Sequence, residues 1–132
     1  MERKHPIREA ERYLENARTI LSEKAEKDGD YYKDSKYVKM AGHTAWCGVL
    51  VALDAVLQLK NSLKKGQRPE FKDYQAALAQ KDKKMPRVLL VTYDLLHKSM
   101  GYDGVLSYKV VRDSLDEAEK VIDWCDKHYG WR

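Results

Sequence analysis

Apolar positions recur every three or four residues along most of the chain, which is the period of helices that bury one side. Ile7, Ala10, Leu14, Ala17 and Leu21 form the first such stripe. Pro6 suits a first helical position because its fixed φ matches the helix and its missing N–H has no partner to lose there. The first helix is therefore expected from Pro6 to about Lys27, before an Asp28-Gly29-Asp30 turn. A second is expected from between Tyr32 and Ser35 to about Lys65, where Gly66 offers a left-handed position and Pro69 blocks propagation. A short helix spans Glu70 to Gln80, with Tyr74, Ala77 and Leu78 as its sparse apolar side. The next opens at Pro86 and carries Leu89, Tyr93, Leu96 and Met100 before Gly101 ends it, and Gly101-Tyr102-Asp103-Gly104 reads as a tight turn. The last has the cleanest period: Tyr108, Val111, Leu115, Ala118, Ile122, Cys125 and Tyr129. The one β-branched cluster, Val88 to Thr92, lies inside a helical period, so no strand pattern competes.

These elements predict an all-α protein with a single domain over residues 1–132. Its architecture is expected to be an up-and-down four-helix bundle, with the short helix as an excursion between the second and third long ones. The length fits, since domains of roughly 100 to 150 residues are the commonest and bury a substantial core.

The second helix is apolar or small nearly all the way round. Ala41, Ala45, Gly48, Ala52 and Ala55 share one face at 100° per residue, while His43, Cys47, Asp54 and Gln58 fall on roughly the opposite one. The small face lets another backbone approach closely, either within the core or as a seam between two copies of the chain. The polar stripe needs partners, because an unpaired buried charge is costly. Asp54 is expected to accept from a Lys, Arg or Tyr of a neighbouring helix, with His43 a satisfied core histidine, or else the stripe lines a pocket. Further along, Tyr93 and His97 are one turn apart, and His97 is one turn before the Gly101-Tyr102-Asp103-Gly104 turn. Either the His97, Tyr102 and Asp103 side chains converge on a small ligand or partner, or Asp103 organises the turn while the aromatics cap the bundle end. His43, Asp54, Tyr93, His97, Tyr102 and Asp103 are thus the candidate contact residues.

Composition narrows the class. Charged residues make up 35% and hydrophobics 43%, with only 7 Gly and 3 Pro, which excludes collagen-like, disordered and disulfide-framework chains. Cys47 and Cys125 sit in helical patterns outside any CxxC arrangement and are expected to be free buried thiols. His43 and Cys47 on one helix, with Cys125 and His128 on another, offer a Cys₂His₂ spacing, but nothing places the two helices level, and no metal or cofactor is expected. The opening MERKHPIREAER has no apolar stretch after its charges, so no signal peptide is read and a cytoplasmic location is expected. The weakly charged run from Met40 to Leu59 would have to bury Asp54 in hydrocarbon, so it is read as a helix covered by protein, without a membrane. No G-x-S-x-G, P-loop or H-E-x-x-H is present, no catalytic residue is assigned, and the acids of the last helix read as a solvated face.

Net charge is only +4, but it is unevenly distributed. Residues 60–87 hold nine basic side chains against three acidic ones, a local +6 that leaves −2 for the rest. Lys64, Lys65, Arg68, Lys72, Lys83, Lys84 and Arg87, interleaved with Phe71 and Tyr74, could meet phosphates with the rings available for stacking. The same cluster could be a solvated loop region, or dock on the acidic last helix of a second subunit.

The segments REAERYLENA (8–17), YYKDSKYVKMAGHTAWCGVLVALDAVL (31–57) and YDLLHKSMGYDGVL (93–106) resemble a family of small bacterial proteins classed as a domain of unknown function. More remotely, a first helix with a YLxxA pattern followed by a long helix rich in Ala and aromatics is similar to the HEPN superfamily of four- or five-helix bundles. That resemblance implies a HEPN-like fold and a homodimer. Many members are RNases or partners of nucleotidyltransferases. RNase-active members carry an Arg followed by His after four to six residues, and here Arg87 stands nine intervening residues before His97. The expected role is accordingly a non-catalytic binding or interaction module with a protein partner or a second copy; the alternative is an RNA-binding or RNA-cleaving protein using residues 60–87.

Overall fold

The computed structural model describes residues 5–130. Met1 to Lys4, which begin the stretch read for a leader, lie outside them, as do Trp131 and Arg132. Helix α1 (Pro6–Ile20) starts where the proline predicts: the His5 Nδ1 accepts from the Ile7 N–H at 3.1 Å as the cap. It passes into a π-helical turn, Leu21–Ala25, and the helix ends short of the expected Lys27. The wider turn keeps both Leu21 and Ala25 buried. A two-stranded antiparallel ribbon follows, β1 (Lys27–Asp28) with β2 (Tyr31–Tyr32), around Gly29 at φ +62°. The turn is where the sequence puts it, but the ribbon corrects the expectation of no strand; two residues per strand are too few to leave an alternating pattern.

Helix α2 (Ser35–Leu57) is capped by Asp34, whose carboxylate accepts from the Lys36 N–H at 3.0 Å. It stops well before Lys65. Gln58 takes the left-handed conformation at φ 49°, a 3₁₀ turn covers Leu59–Ser62, and residues 63–70 run as a loop. Helices hold mainly by burying an apolar face, and Lys60, Asn61 and Ser62 are all exposed, so nothing sustains the helix there. Helix α3 (Phe71–Lys81) opens with a reciprocal cap between Glu70 and Asp73, the Glu70 N–H donating to the Asp73 carboxylate at 2.7 Å. Helix α4 (Met85–Tyr93) continues as a π-helical segment, Asp94–Tyr102, in which the Asp103 N–H donates to the Lys98 carbonyl at 2.8 Å. Helix α5 (Tyr108–His128) begins at Ser107, whose hydroxyl accepts from the Val110 N–H at 3.3 Å.

The protein is all-α apart from the ribbon. Helix α2 lies against α1, the π segment and α5, while α4 packs on α3 and α5. Ile7, Leu14, Leu53, Leu89, Leu96, Met100 and Ile122 are among the buried side chains of the core. The small face of α2 belongs to that core: Ala41, Ala45, Gly48 and Ala52 are buried, and a Cβ at Gly48 would stand 2.8 Å from the Tyr13 Cβ and 2.9 Å from the Ala10 carbonyl of α1. It is not a free seam for a second copy. By length and composition α2 is also apolar enough to cross a membrane. Both cysteines are free, but only Cys125 is buried, and burial pushes its thiol up to about 12. Cys47 is exposed because it lies on the side of α2 turned away from α1.

Candidate functional site

The side of α2 opposite its small face presents His43, Trp46, Cys47, Leu50 and Asp54. It meets the α4–π element at unusually short range. A Cβ on Gly42 would fall 2.7 Å from the Leu96 carbonyl and 2.9 Å from the Gly101 nitrogen; one on Gly101 would fall 3.1 Å from the His43 ring. Two glycines thus bring the backbones together and lay the His43 imidazole over Gly101.

That approach assembles a row of five rings. Trp46 lies 5.2 Å from Tyr93 and Phe71 lies 4.7 Å from it, centroid to centroid. Tyr93 stacks on His97 at 4.8 Å with planes 12° apart, and His97 meets His43 edge-on at 5.9 Å. Trp46, Phe71, Tyr93 and His97 are half-buried and His43 is exposed. The His97 Nδ1 is buried without a hydrogen-bond partner. At one end Trp46, Leu50, Pro69, Phe71, Tyr74 and Tyr93 surround a recess of about 230 Å³. Of the expected residues, the structure brings together His43, Tyr93 and His97. Trp46 was missed, although it stands three residues after His43 on the same helical face, and Phe71 was expected only as a stacking ring beside the basic cluster.

The other expected residues go elsewhere. Tyr102 is 80% exposed and Asp103 is exposed, and neither makes a hydrogen bond or ring contact with His97 among the described residues. The expected convergence of His97, Tyr102 and Asp103 is replaced by that of His97 with His43. Asp54 accepts from the Tyr74 hydroxyl at 2.7 Å and lines a depression of about 630 Å³ with Pro6, Val51, Gln58, Leu59 and Tyr129. The Cys₂His₂ set does not assemble: Cys125 is in the core, and no three metal-ligating side chains cluster among the described residues.

Burial, then the bond to Asp54, raises the Tyr74 hydroxyl well above the usual tyrosine range. The neutral phenol is the form that folding favours, so its stabilisation is complete below the unfolded value near pH 10 and is lost as pH rises through the folded one. Tyr74→Phe should cost about 1 to 2 kcal/mol at neutral pH by depriving Asp54 of its donor. The variant should also lose less melting temperature than the wild type between about pH 9 and 11. Circular dichroism melts at each pH measure both, and parallel curves for the two proteins would contradict the assignment.

The basic residues of 60–87 are split. Lys64, Lys65 and Arg68 are exposed on the loop before α3, and Lys72 on its first turn contacts Glu70 at 3.3 Å. Lys83, Lys84 and Arg87 are exposed around the α3–α4 connection, a helix length of roughly 16 Å away. Tyr74 is 6% exposed and cannot stack on a base, which corrects that expectation; Phe71 is the ring that remains beside the first group. Asp82 is tied in by two bonds, accepting from the Lys84 N–H at 3.0 Å and the Trp124 indole at 3.1 Å, and its carboxyl is held below the ordinary value mainly by the first.

The fold defines an all-α protein, apart from the short ribbon, with a ring-lined face on α2 and the α4–π element. The chain belongs to the family described as domain of unknown function (DUF5618), whose model matches residues 5–127. It is similar to the solved structure of a protein of unknown function from Dyadobacter fermentans, at 43% identity over 92% of this chain and 93% of that one, with a TM-score of 0.81. No curated protein matches it.

Proposed function

We propose that this protein is a non-catalytic interaction module, built on a HEPN-like up-and-down four-helix bundle, that pairs with a second copy through the ring-lined face of α2 and α4. The observation that carries the reading is the continuous row Trp46–Phe71–Tyr93–His97–His43, half-open to solvent. Met40 on α2 and Leu90 on α4 add exposed apolar surface, at 47% and 44%. Aromatic residues and Met are enriched in protein interfaces, where large rings exclude water at little entropic cost. The absence of an Arg separated by four to six intervening residues from His43 or His97 supports a role without RNA cleavage. A cytoplasmic location accompanies this reading.

Light scattering on the full chain should give twice the monomer mass at micromolar concentration. The double variant Met40→Glu and Leu90→Glu should give the monomer with the melting temperature kept, since both side chains are exposed. A monomeric wild type, or a double variant that stays dimeric, would refute the pairing.

One observation favours a second reading, single-stranded RNA. Phe71 joins the ring row to the exposed Arg68 and Lys72, the combination of stacking face and cations that such strands use. Fluorescence anisotropy with a short labelled RNA decides: salt-sensitive binding that Arg68→Glu with Lys72→Glu removes would support it.

A further inference from the structure

A second site lies where α1 ends and α5 begins, and none of its residues belongs to the ring row. Leu21 from the π turn and Val111 and Leu115 from α5, core side chains that are themselves buried, form its apolar floor. The Tyr32 and Tyr108 rings, 5.8 Å apart, form a wall. The cleft between them is open on one side and has a volume of about 390 Å³, suited to a small organic molecule.

Its rim is cationic. Arg18, Lys27 and Arg112 line the cleft together with Ser22, and no carboxylate lines it among the described residues. The Lys27 ammonium sits 3.8 Å from the centre of the Tyr108 ring, held beside the opening by a cation–π contact. Arg18 and Arg112 each approach a carboxylate, Glu119 and Asp113, at 3.7 Å. That separation is longer than a hydrogen bond, and all four groups are solvated, so both guanidinium ions keep donors to offer. A contiguous depression shares Lys27, Tyr108 and Arg112 and adds Lys109, against the single acid Asp30.

The cleft is also rigid. The Tyr32 N–H donates to the Leu106 carbonyl at 2.8 Å and the Tyr108 N–H to the Asp30 carbonyl at 2.9 Å, which clamps the ribbon to the segment entering α5. A bridge between Tyr31 and Ser107 completes the clamp. A wall fixed by main-chain bonds loses little freedom when a ligand arrives, and preformed sites bind more tightly for that reason. Cations that keep donors free beside an apolar floor have a defined complement: an apolar body to cover the cleft, and one anionic head at the rim.

We infer that this cleft binds a small amphipathic monoanion, an aryl or medium-chain alkyl carboxylate, with its apolar body on Leu21, Val111 and Leu115 and its carboxylate between Arg18, Lys27 and Arg112. Arg guanidinium suits this head because its fork meets a carboxylate with two parallel bonds.

The test uses the full chain and the fluorescent anion 1-anilinonaphthalene-8-sulfonate as reporter, with decanoate and decanol as competitors. Saturable binding at one site is expected, displaced by decanoate and not by decanol at the same concentration. Arg18→Gln with Arg112→Gln should weaken the reporter by about tenfold or more, the consequence of losing charge-assisted contacts, with the melting temperature unchanged. Lys27→Gln, at an exposed ribbon position, should weaken it independently should the double variant not fold. No saturable binding of the reporter, equal displacement by decanol, or an affinity that survives the substitutions would each overturn the site.

Discussion

Gly42→Val should lower the melting temperature by roughly 10 °C, the equivalent of about 3 kcal/mol in a chain of this size. The Cβ alone would stand 2.7 Å from both the Leu96 carbonyl and the Met100 Cβ, distances that real side chains do not tolerate. Two of its three nearest obstacles are backbone atoms, so relief requires parting α2 from the π segment rather than turning a rotamer. Valine would gain slightly over glycine in intrinsic helix propensity, well under 1 kcal/mol, too little to offset the clash. The same separation would spread the His43 and His97 rings, so near-ultraviolet circular dichroism of the row should weaken as well. Gly130→Ala, where a Cβ meets nothing within 4 Å, is the matched control and should melt with the wild type. A Gly42→Val protein melting within two or three degrees of wild type would show that the contact is looser than described.

Leu96→Ala should be comparably severe, costing about 2 to 5 kcal/mol as fully buried leucines do when truncated. Leu96 is 0% exposed, and with Met100 it faces α2 from the π segment. π-helical hydrogen bonding is rare and usually limited to single turns, so nine consecutive residues of it have to be held by the surroundings. Once the leucine is gone, the segment has less reason to keep that register. Hydrogen exchange should therefore show faster exchange at the Asp103 amide, which bonds to the Lys98 carbonyl, than uniform destabilisation would give. Equal acceleration at Asp103 and in the middle of α5 would mean that truncation weakens the whole core without touching the register.

Much of the helical layout was legible because it depends on local chemistry. Pro6, the Gly29 turn, the start of α3 beside Glu70 and the stripe of α5 from Tyr108 to Cys125 all follow from propensity, capping and period, while Tyr129 falls just past the helix end. What failed depends on contacts between distant residues. No residue after Leu57 signals a stop, and Gln58 is a left-handed residue without glycine's freedom. Gly66 is left-handed too, but it sits in a loop already outside the helix. The π segment reads as ordinary helix at Tyr93, Leu96 and Met100, since the shift in bonding comes from packing against Gly42. The cationic cleft was invisible for a similar reason: Arg18, Lys27 and Arg112 come from three separate elements, and the sequence showed positive charge only where it was dense.

The clamp between the ribbon and the entry to α5 has a bearing on the order in which the chain acquires its parts. Helices α1 and α2 with the ribbon between them form a hairpin whose contacts are close in sequence, so loop closure costs that half little and it is free to organise early. The bonds from Tyr32 to Leu106 and from Tyr108 to Asp30 join positions more than seventy residues apart and must wait until α3, α4 and the π segment have brought α5 home. A chain emerging from the ribosome therefore has half of the cleft, Leu21 and Tyr32, exposed until α5 arrives. Occupation of the cleft would mark a molecule in which α5 has docked on the α1–α2 half.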